Sequence, residues 1–322
     1  MFHFIYPGQG SQQPGMGRFL FDNFPTAKHV FEEASEALKL DLKKLCFEGS
    51  EADLALTENT QPCLLTVSTA TQKVLTAQFG VKAQAASGHS IGEYAALVSA
   101  GSLPFAEAVK AVRIRGQAMQ SAVPVGQGGM VAVMGLEPDQ VEKLCAYAVE
   151  KSKVGPLSPA NFNSPGQIVI SGSAKTIAWL KENFKVEDLF PEAKRVKLIP
   201  LQVSAPFHCE MMKPAEDQMR SVLTGISFQN AQFPIIQNFT ARTEIQADSL
   251  RENLIRQVSA PVRWMQSMAL AKEKTWTTCI EMGTGKVLQG LLKKIDPESF
   301  NVFNTNSLED IENIEKFVKN PA

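Results

Sequence analysis

A chain of 322 residues, 44% hydrophobic and 20% charged, has enough apolar material for one large core with an insertion or for two domains. Its mixed composition excludes a fibrous, low-complexity or extensively disordered protein. With 32 Lys+Arg against 33 Asp+Glu the formal charge is −1, which excludes bulk electrostatic attraction to nucleic acid or to an anionic membrane.

The chain opens on Phe2 to Tyr6, a strand, without the basic flank and long apolar stretch of a signal peptide, and no apolar run has the length to span a bilayer. Helical patterns follow over Thr26 to Leu38 and Thr60 to Phe79, the latter with Thr60 as N-cap and Pro62 in the first turn. Ala83 to Ser87 reads as a buried strand leading through Gly88-His89-Ser90-Ile91-Gly92 into an alanine-rich helix, and a further helix spans Pro104 to Ala122. Gly126-Gln127-Gly128-Gly129 breaks the pattern. After it come a strand at Met130 to Met134, a helix at Pro138 to Glu150, strands at Ala160 to Asn163 and Gln167 to Ser171, a helix at Ala174 to Phe184 and a strand at Val196 to Pro200. That β-α-β-β-α-β order is the ferredoxin-like one, in a segment too short for a second full domain, so residues 127–202 read as an inserted subdomain.

From His208 the larger pattern resumes with a helix to Leu223, a strand at Phe233 to Gln237, and helices at Asp248 to Gln257 and Val262 to Lys272. Thr277 to Met282 and Lys286 to Lys294 supply a last strand and helix, and the tail beyond Pro297 carries little signal. The alternation of short strands with helices predicts an α/β protein with a largely parallel sheet.

The chemistry concentrates at Gly88 to Gly92. G-x-S-x-G between a strand and a helix is the setting of a nucleophile elbow, where a sharp turn projects the serine and residues two before and two after must lack side chains. The following helix would direct its N-terminal N–H groups at negative charge on a bound acyl group. The plainer reading is a serine N-cap between two turn glycines. As a nucleophile Ser90 needs a base. Of the four histidines, His3 lies in the first strand, His29 on a surface-like helix, and His89 should point to the other side of the turn. His208, in the loop Ala205-Pro206-Phe207-His208, is left as the base by elimination. Cys209 beside it has no strained turn to present it and no evident reason for a lowered pKa.

Pro7-Gly8-Gln9-Gly10-Ser11-Gln12 forms a tight loop at the end of the first strand, either a simple turn or a device aiming a backbone N–H at an oxyanion. Gln13 excludes a dinucleotide fingerprint there, and Ile280 and Val287 exclude a phosphate loop at Gly283-Thr284-Gly285-Lys286. On the helix over Pro104 to Ala122, Ala108, Val112, Arg115 and Met119 share one face, so Arg115 interrupts an apolar stripe and needs an anion, either an internal carboxylate or a substrate's. Arg113 points elsewhere and reads as solvated.

Taken in order, Pro7 to Gln12, Gly88 to Tyr94, Arg113-Ile114-Arg115-Gly116, Asn161 to Gln167, Pro206-Phe207-His208, Arg256-Gln257 and Gly283 to Lys286 resemble the malonyl-CoA:acyl carrier protein transacylases of bacterial fatty acid synthesis and their acyltransferase relatives in polyketide synthases. The resemblance covers nearly everything up to Ile295. It implies an α/β-hydrolase-like core, residues 1–126 and 203–322, with the ferredoxin-like insertion between them and the site where the two meet. By position it implies Ser90 as nucleophile, His208 as base, Arg115 as binder of the malonyl carboxylate, and the backbone N–H groups of Gln9 and Ile91 as oxyanion hole. It further implies that a main-chain carbonyl near Gln257 orients the histidine in place of an acid. Phe207 departs from the serine frequent before the histidine in fatty-acid enzymes and is similar to the malonyl-selective polyketide relatives, so a polyketide carrier is the alternative. A serine thioesterase is the rival that would not need Arg115. The substrates implied are malonyl-CoA and the acidic acyl carrier protein, with no metal or other cofactor, a monomeric enzyme and no nucleic-acid or membrane partner. The five cysteines, Cys46, Cys63, Cys145, Cys209 and Cys279, form no C-x-x-C pair, which argues for a reducing, cytoplasmic location.

Overall fold

The structure, a computed structural model, describes residues 1–319 apart from 194 and 204; residue 194 of the expected insertion and residues 204 and 320–322 of the expected second core segment lie outside the described residues. The strands in chain order are β1 (Phe2–Tyr6), β2 (Ala83–Gly88), β3 (Gly128–Met134), β4 (Leu157–Ser164), β5 (Gln167–Ser173), β6 (Lys197–Pro200), β7 (Ile235–Ile236), β8 (Thr243–Glu244), β9 (Thr278–Glu281) and β10 (Asn301–Phe303). Among the described residues they form two sheets, ordered β10-β9-β1-β2-β7-β8 and β4-β5-β3-β6. The first is parallel except where β8 turns back on β7. The second is antiparallel throughout. The protein is therefore a mixed α/β structure with a largely parallel main sheet.

β1 explains why that sheet is covered on both faces. All five of its residues are buried, as expected for a central parallel strand. Because side chains alternate across a strand, Phe2, Phe4 and Tyr6 pack with residues of the helices Pro25–Leu38, Thr57–Phe79 and Phe105–Ser121. Ile5 packs with Trp264, Met268, Leu288 and Leu292 from the helices Trp264–Glu273 and Val287–Ile295. His3, the polar member, is satisfied by Ser87 Oγ at 2.8 Å, and burial pushes its pKa down to about 4, which keeps the ring neutral.

The second sheet has its own core, in which Val131, Val133, Ile168 and Ile170 meet Leu144 of the helix Pro138–Ser152 and Leu180 of the helix Ala174–Asn183. It is stitched to the rest by two backbone bonds, Phe162 N–H to Val262 O at 2.9 Å and Val262 N–H to Ala160 O at 2.8 Å.

The structure corrects the expected start of one helix and, with it, the expected place of Arg113. The helix expected from Thr60 begins at Thr57. Thr60 is not its cap: its hydroxyl donates to the carbonyls of Leu54 and Leu56, and Pro62 falls in the second turn. Proline there has no N–H for the carbonyl of Glu58. Arg113 supplies the missing donor, with Nη1 3.0 Å from Glu58 O and a bond to Asn59 Oδ1, and its Nη2 lies 3.6 Å from the Glu58 carboxylate. Arg113 is thus a half-buried brace and not a solvated side chain. Arg113→Ala should lower stability by about 1 kcal/mol, the net worth of such a bond, and shift thermal unfolding by a few degrees at most while leaving enzymatic activity intact. An unchanged melting temperature would contradict this.

The residues beyond Pro297, expected to carry little signal, also form regular elements. β10 forms the edge of the main sheet beside β9, and the helix Leu308–Lys319 buries Ile311 and Ile314. Phe317 closes the joint, its ring 4.9 Å from that of Phe303 and 5.7 Å from that of Phe2.

Candidate active site

β1, β2 and β7 are neighbours running the same way, so the residues after each emerge at one edge of the sheet. Those residues are Gln9 after β1, Ser90 after β2 and Asn238 after β7, at the carboxyl ends where α/β sheets place ligands.

The turn at Ser90 has the cramped geometry its glycines require. A Cβ on Gly88 would stand 1.9 Å from the Gly92 carbonyl carbon, and one on Gly92 would stand 2.2 Å from Tyr6 O. Ser90 itself is left-handed at φ 52°, a conformation that typically costs a non-glycine residue roughly 1–3 kcal/mol and must be held by its surroundings. Asn238 does much of the holding: its Oδ1 accepts from Ser90 N–H at 2.8 Å and its Nδ2 donates to Gly88 O at 2.6 Å.

Ser90 Oγ lies 2.7 Å from His208 Nε2. The direction of that bond follows from the other ring nitrogen. His208 Nδ1 is 3.0 Å from Gln257 O, and since a carbonyl only accepts, Nδ1 carries the proton and Nε2 is the acceptor for the serine hydroxyl. Burial, and after it the charge of Arg115, push the His208 pKa down to about 3, so the ring is neutral near pH 7. No carboxylate stands beside the ring among the described residues.

Arg115, on the helix Phe105–Ser121, is buried to 1% exposure. Its Nη1 donates to Gln61 Oε1 at 2.9 Å, and its Nη2 donates to Gln257 Oε1 at 2.9 Å and to Ser90 Oγ at 3.2 Å. Its Nε has no partner and no carboxylate pairs with it among the described residues, so the internal ion pair that the sequence left open does not form. A buried guanidinium whose hydrogen bonds go only to neutral oxygens, with the Tyr94 ring 5.7 Å from its carbon, is electrostatically poised for an anion.

Ser90, His208, Arg115, Gln9 and Ile91 all line one cavity of about 130 Å³, walled also by Met119, Met130, Phe207, Leu201 and Val203. Such a space is well below the roughly 300–1,000 Å³ of drug-sized sites and suits a short acyl group. The backbone N–H groups of Gln9 and Ile91 have no acceptor among the described residues. Those of Gly92, Glu93 and Tyr94 are occupied by His89 O, Ser90 O and Ile91 O, so the helix offers the cavity one free N–H instead of the several expected.

His89 is also among the residues that line the cavity. Its Nε2 is 2.8 Å from Asn163 Oδ1 and its ring lies against Trp264, so it is tied to β4 and not to Ser90. Cys209 is buried, bonded to Pro206 O at 3.1 Å, and burial raises its pKa, which leaves it inert.

Residues 3–298 match the acyl transferase domain. The chain belongs to that family. This acyl transferase is 42% identical over 312 residues to the malonyl CoA-acyl carrier protein transacylase of Bacillus subtilis, covering 97% of this chain and 94% of that protein. It superposes with a TM-score of 0.90 at 39% identity on an acyl carrier protein S-malonyltransferase from Vibrio cholerae, covering 97% and 99% of the two chains. It also matches, at 37% identity, a TM-score of 0.90 and coverage of 98% and 99%, a malonyl-transacylase solved in complex with its type II polyketide synthase acyl carrier protein.

Three parts of the acyl transferase site were missed in the sequence. For Gln61 the signal in the sequence is a glutamine on the buried face of its helix. Asn238 follows β7 directly, as Gln9 follows β1, and that equivalence was the clue. Glu93 is a carboxylate in an otherwise apolar, alanine-rich helix, and it is completely buried.

Proposed function

We propose that this acyl transferase carries a malonyl group from malonyl-CoA to the phosphopantetheine thiol of an acyl carrier protein through an ester on Ser90. One observation carries the reading: a single hydroxyl, Ser90 Oγ, lies 2.7 Å from a neutral imidazole and 3.2 Å from a buried guanidinium that lacks an anionic partner. The first neighbour suits a nucleophile, the second a carboxylate-bearing acyl group.

In the first half-reaction His208 Nε2 takes the Ser90 proton as Oγ attacks the thioester carbonyl carbon. The oxygen that becomes negative is met by the N–H groups of Gln9 and Ile91, donors typically worth roughly 3–4 kcal/mol of barrier each. The intermediate collapses, the carbon–sulfur bond breaks, and the imidazolium returns its proton to the coenzyme A thiolate. The carrier's thiol then gives its proton to His208, attacks the malonyl-serine ester, and Ser90 leaves with that proton. Atoms and charges balance without a metal or redox cofactor. One chain supplies every group, so a monomer suffices.

In the same reading residues 127–202 are a ferredoxin-like subdomain inserted in an α/β-hydrolase-like core formed by residues 1–126 and 203–322. The order β4-β5-β3-β6 and the two covering helices support the former, and the elbow after a central parallel strand supports the latter. No helix among the described residues is long and apolar enough to cross a membrane. The five cysteines are free and buried, which supports a cytoplasmic place.

The test separates transfer from hydrolysis. Enzyme loaded with radiolabelled malonyl-CoA and freed of excess substrate should pass its label to holo acyl carrier protein on mixing, and should keep it for much longer in buffer alone. Prompt release of free malonate without a carrier would make the protein a thioesterase. Running fatty-acid and polyketide carriers side by side assigns the carrier.

A further inference from the structure

Beneath the Ser90 turn lies a layer of buried polar groups that the steps above leave unused. Asn238 clamps the turn from Gly88 O and Ser90 N–H. The Gln257 amide spans the gap to the arginine, with Nε2 donating to Ser90 O at 2.9 Å and Oε1 accepting from Arg115 Nη2 at 2.9 Å. The Asn238 backbone N–H and the Gln257 side-chain amide converge on Glu93, three residues beyond the serine and completely buried. Glu93 Oε2 accepts from Asn238 N–H at 2.7 Å and from Gln257 Nε2 at 3.2 Å, and Oε1 accepts from Gln237 Nε2 at 3.0 Å.

Glu93 therefore faces three donors. An ionised carboxylate and the Ser90 carbonyl only accept, so together they turn the NH₂ of the Gln257 amide inward and leave its oxygen toward Arg115. The amide in effect passes the carboxylate's negative end on to the guanidinium without letting the two ions touch. Were Glu93 in direct contact with Arg115, the guanidinium would be neutralised internally and lose its grip on a substrate carboxylate; held one amide away, it is aimed but not paired. Burial outweighs the opposing pull of the three donors and the Arg115 charge and leaves the Glu93 pKa raised to about 7.

Resting on the reading of Ser90 and Arg115 given above, we propose that Glu93 is a positioning residue for acyl selectivity: through the Gln257 amide it aims the Arg115 guanidinium at the carboxylate of the incoming acyl group. A glutamine at position 93 would turn its own NH₂ against one of the three donors. Set against Gln257 Nε2, that NH₂ removes one of the two acceptors, Glu93 Oε2 and Ser90 O, that hold the Gln257 amide in place, and so loosens the aim of Arg115.

The experiment is single-turnover acylation of Ser90 by malonyl-CoA and by acetyl-CoA in the wild type, Glu93→Gln, Gln257→Leu and the double variant. Gln257→Leu removes the relay but keeps the main-chain carbonyl on His208. The ratio of malonyl to acetyl rate should fall at least tenfold in each single variant. In the double variant it should fall no further than in the worse single, because both break one chain. Rates that fall together with the ratio held within twofold would overturn the proposal, since a residue that merely braces the turn affects both substrates alike. If Glu93→Gln does not fold, Gln257→Leu decides alone, and an unchanged ratio there overturns the relay. A wild type that shows no malonyl adduct defeats the function reading; a labelled wild type with unselective variants defeats this inference only.

Discussion

Replacing His208 with alanine is expected to slow acylation of Ser90 by malonyl-CoA by roughly 10³-fold, within the range of about 10²–10⁴ for loss of a general base. No other side chain can take over. His89 shares the cavity but is held by Asn163 and Trp264, and no carboxylate among the described residues reaches the serine. The pH dependence tests the same assignment more finely. Protonating His208 would abolish its role as base, and with its pKa pushed down to about 3 that loss is displaced far into acid. With acetyl-CoA, whose acyl group does not engage Arg115, the wild-type acylation rate should stay level from about pH 8 to about pH 5, with no inflection at the ordinary imidazole value near 6.5. Quenched single-turnover reactions across this range measure it, and a falling limb centred near 6.5 would contradict the buried, neutral ring. The shift also enters stability. The unfolded chain takes up this proton below about 6.5 and the folded chain does not, so the contribution of His208 to folding is complete above that pH and is lost as the pH falls toward 3.

Arg115→Ala should lower the malonyl acylation rate by about 10²-fold while acetyl-CoA is accepted as well as before or better. Hydrogen bonds to a charged group are worth about 1.5–3 kcal/mol in a buried setting, which corresponds to roughly 10- to 150-fold. The loss should fall on the substrate that brings a carboxylate, because an acetyl group has nothing for the guanidinium to grip. Folding should suffer little, since removing a buried cation with no paired anion offsets the stranding of Gln61 Oε1 and Gln257 Oε1. Competition between the two thioesters for Ser90 reads the effect directly, and an unchanged preference would remove Arg115 from acyl recognition.

How far the sequence carried these conclusions differs from residue to residue. β1, β2 and the elbow were legible because their signals are local: a buried apolar strand, two glycines with no room for a Cβ, and a helix behind them. The inward face of Arg115 followed from helical spacing alone. The start of the helix at Thr57 was hidden because Thr60 and Pro62 are equally good signals for a first turn and for a second, and the choice depends on Arg113, some fifty residues away, filling the gap that the proline leaves. The last strand and helix were passed over although Leu308, Ile311, Ile314 and Phe317 recur every three residues; the short β10 reads as a strand only once β9 lies beside it. Asn238 and Glu93 were out of reach for a deeper reason. Their roles exist only after the sheet order has set β7 next to β2, so that one amide and one carboxylate close the space beneath the turn. The partner of His89 was equally out of reach, since the path of β4 past the elbow, which supplies Asn163, leaves no mark in the residues around position 89.

The most direct measurement is intact-protein mass spectrometry after brief exposure to malonyl-CoA, made on the wild type and on Ser90→Ala. The wild type should gain one malonyl group, located at Ser90 by peptide mapping, and the variant should gain none. A malonyl adduct that persists on the Ser90→Ala protein would contradict the account.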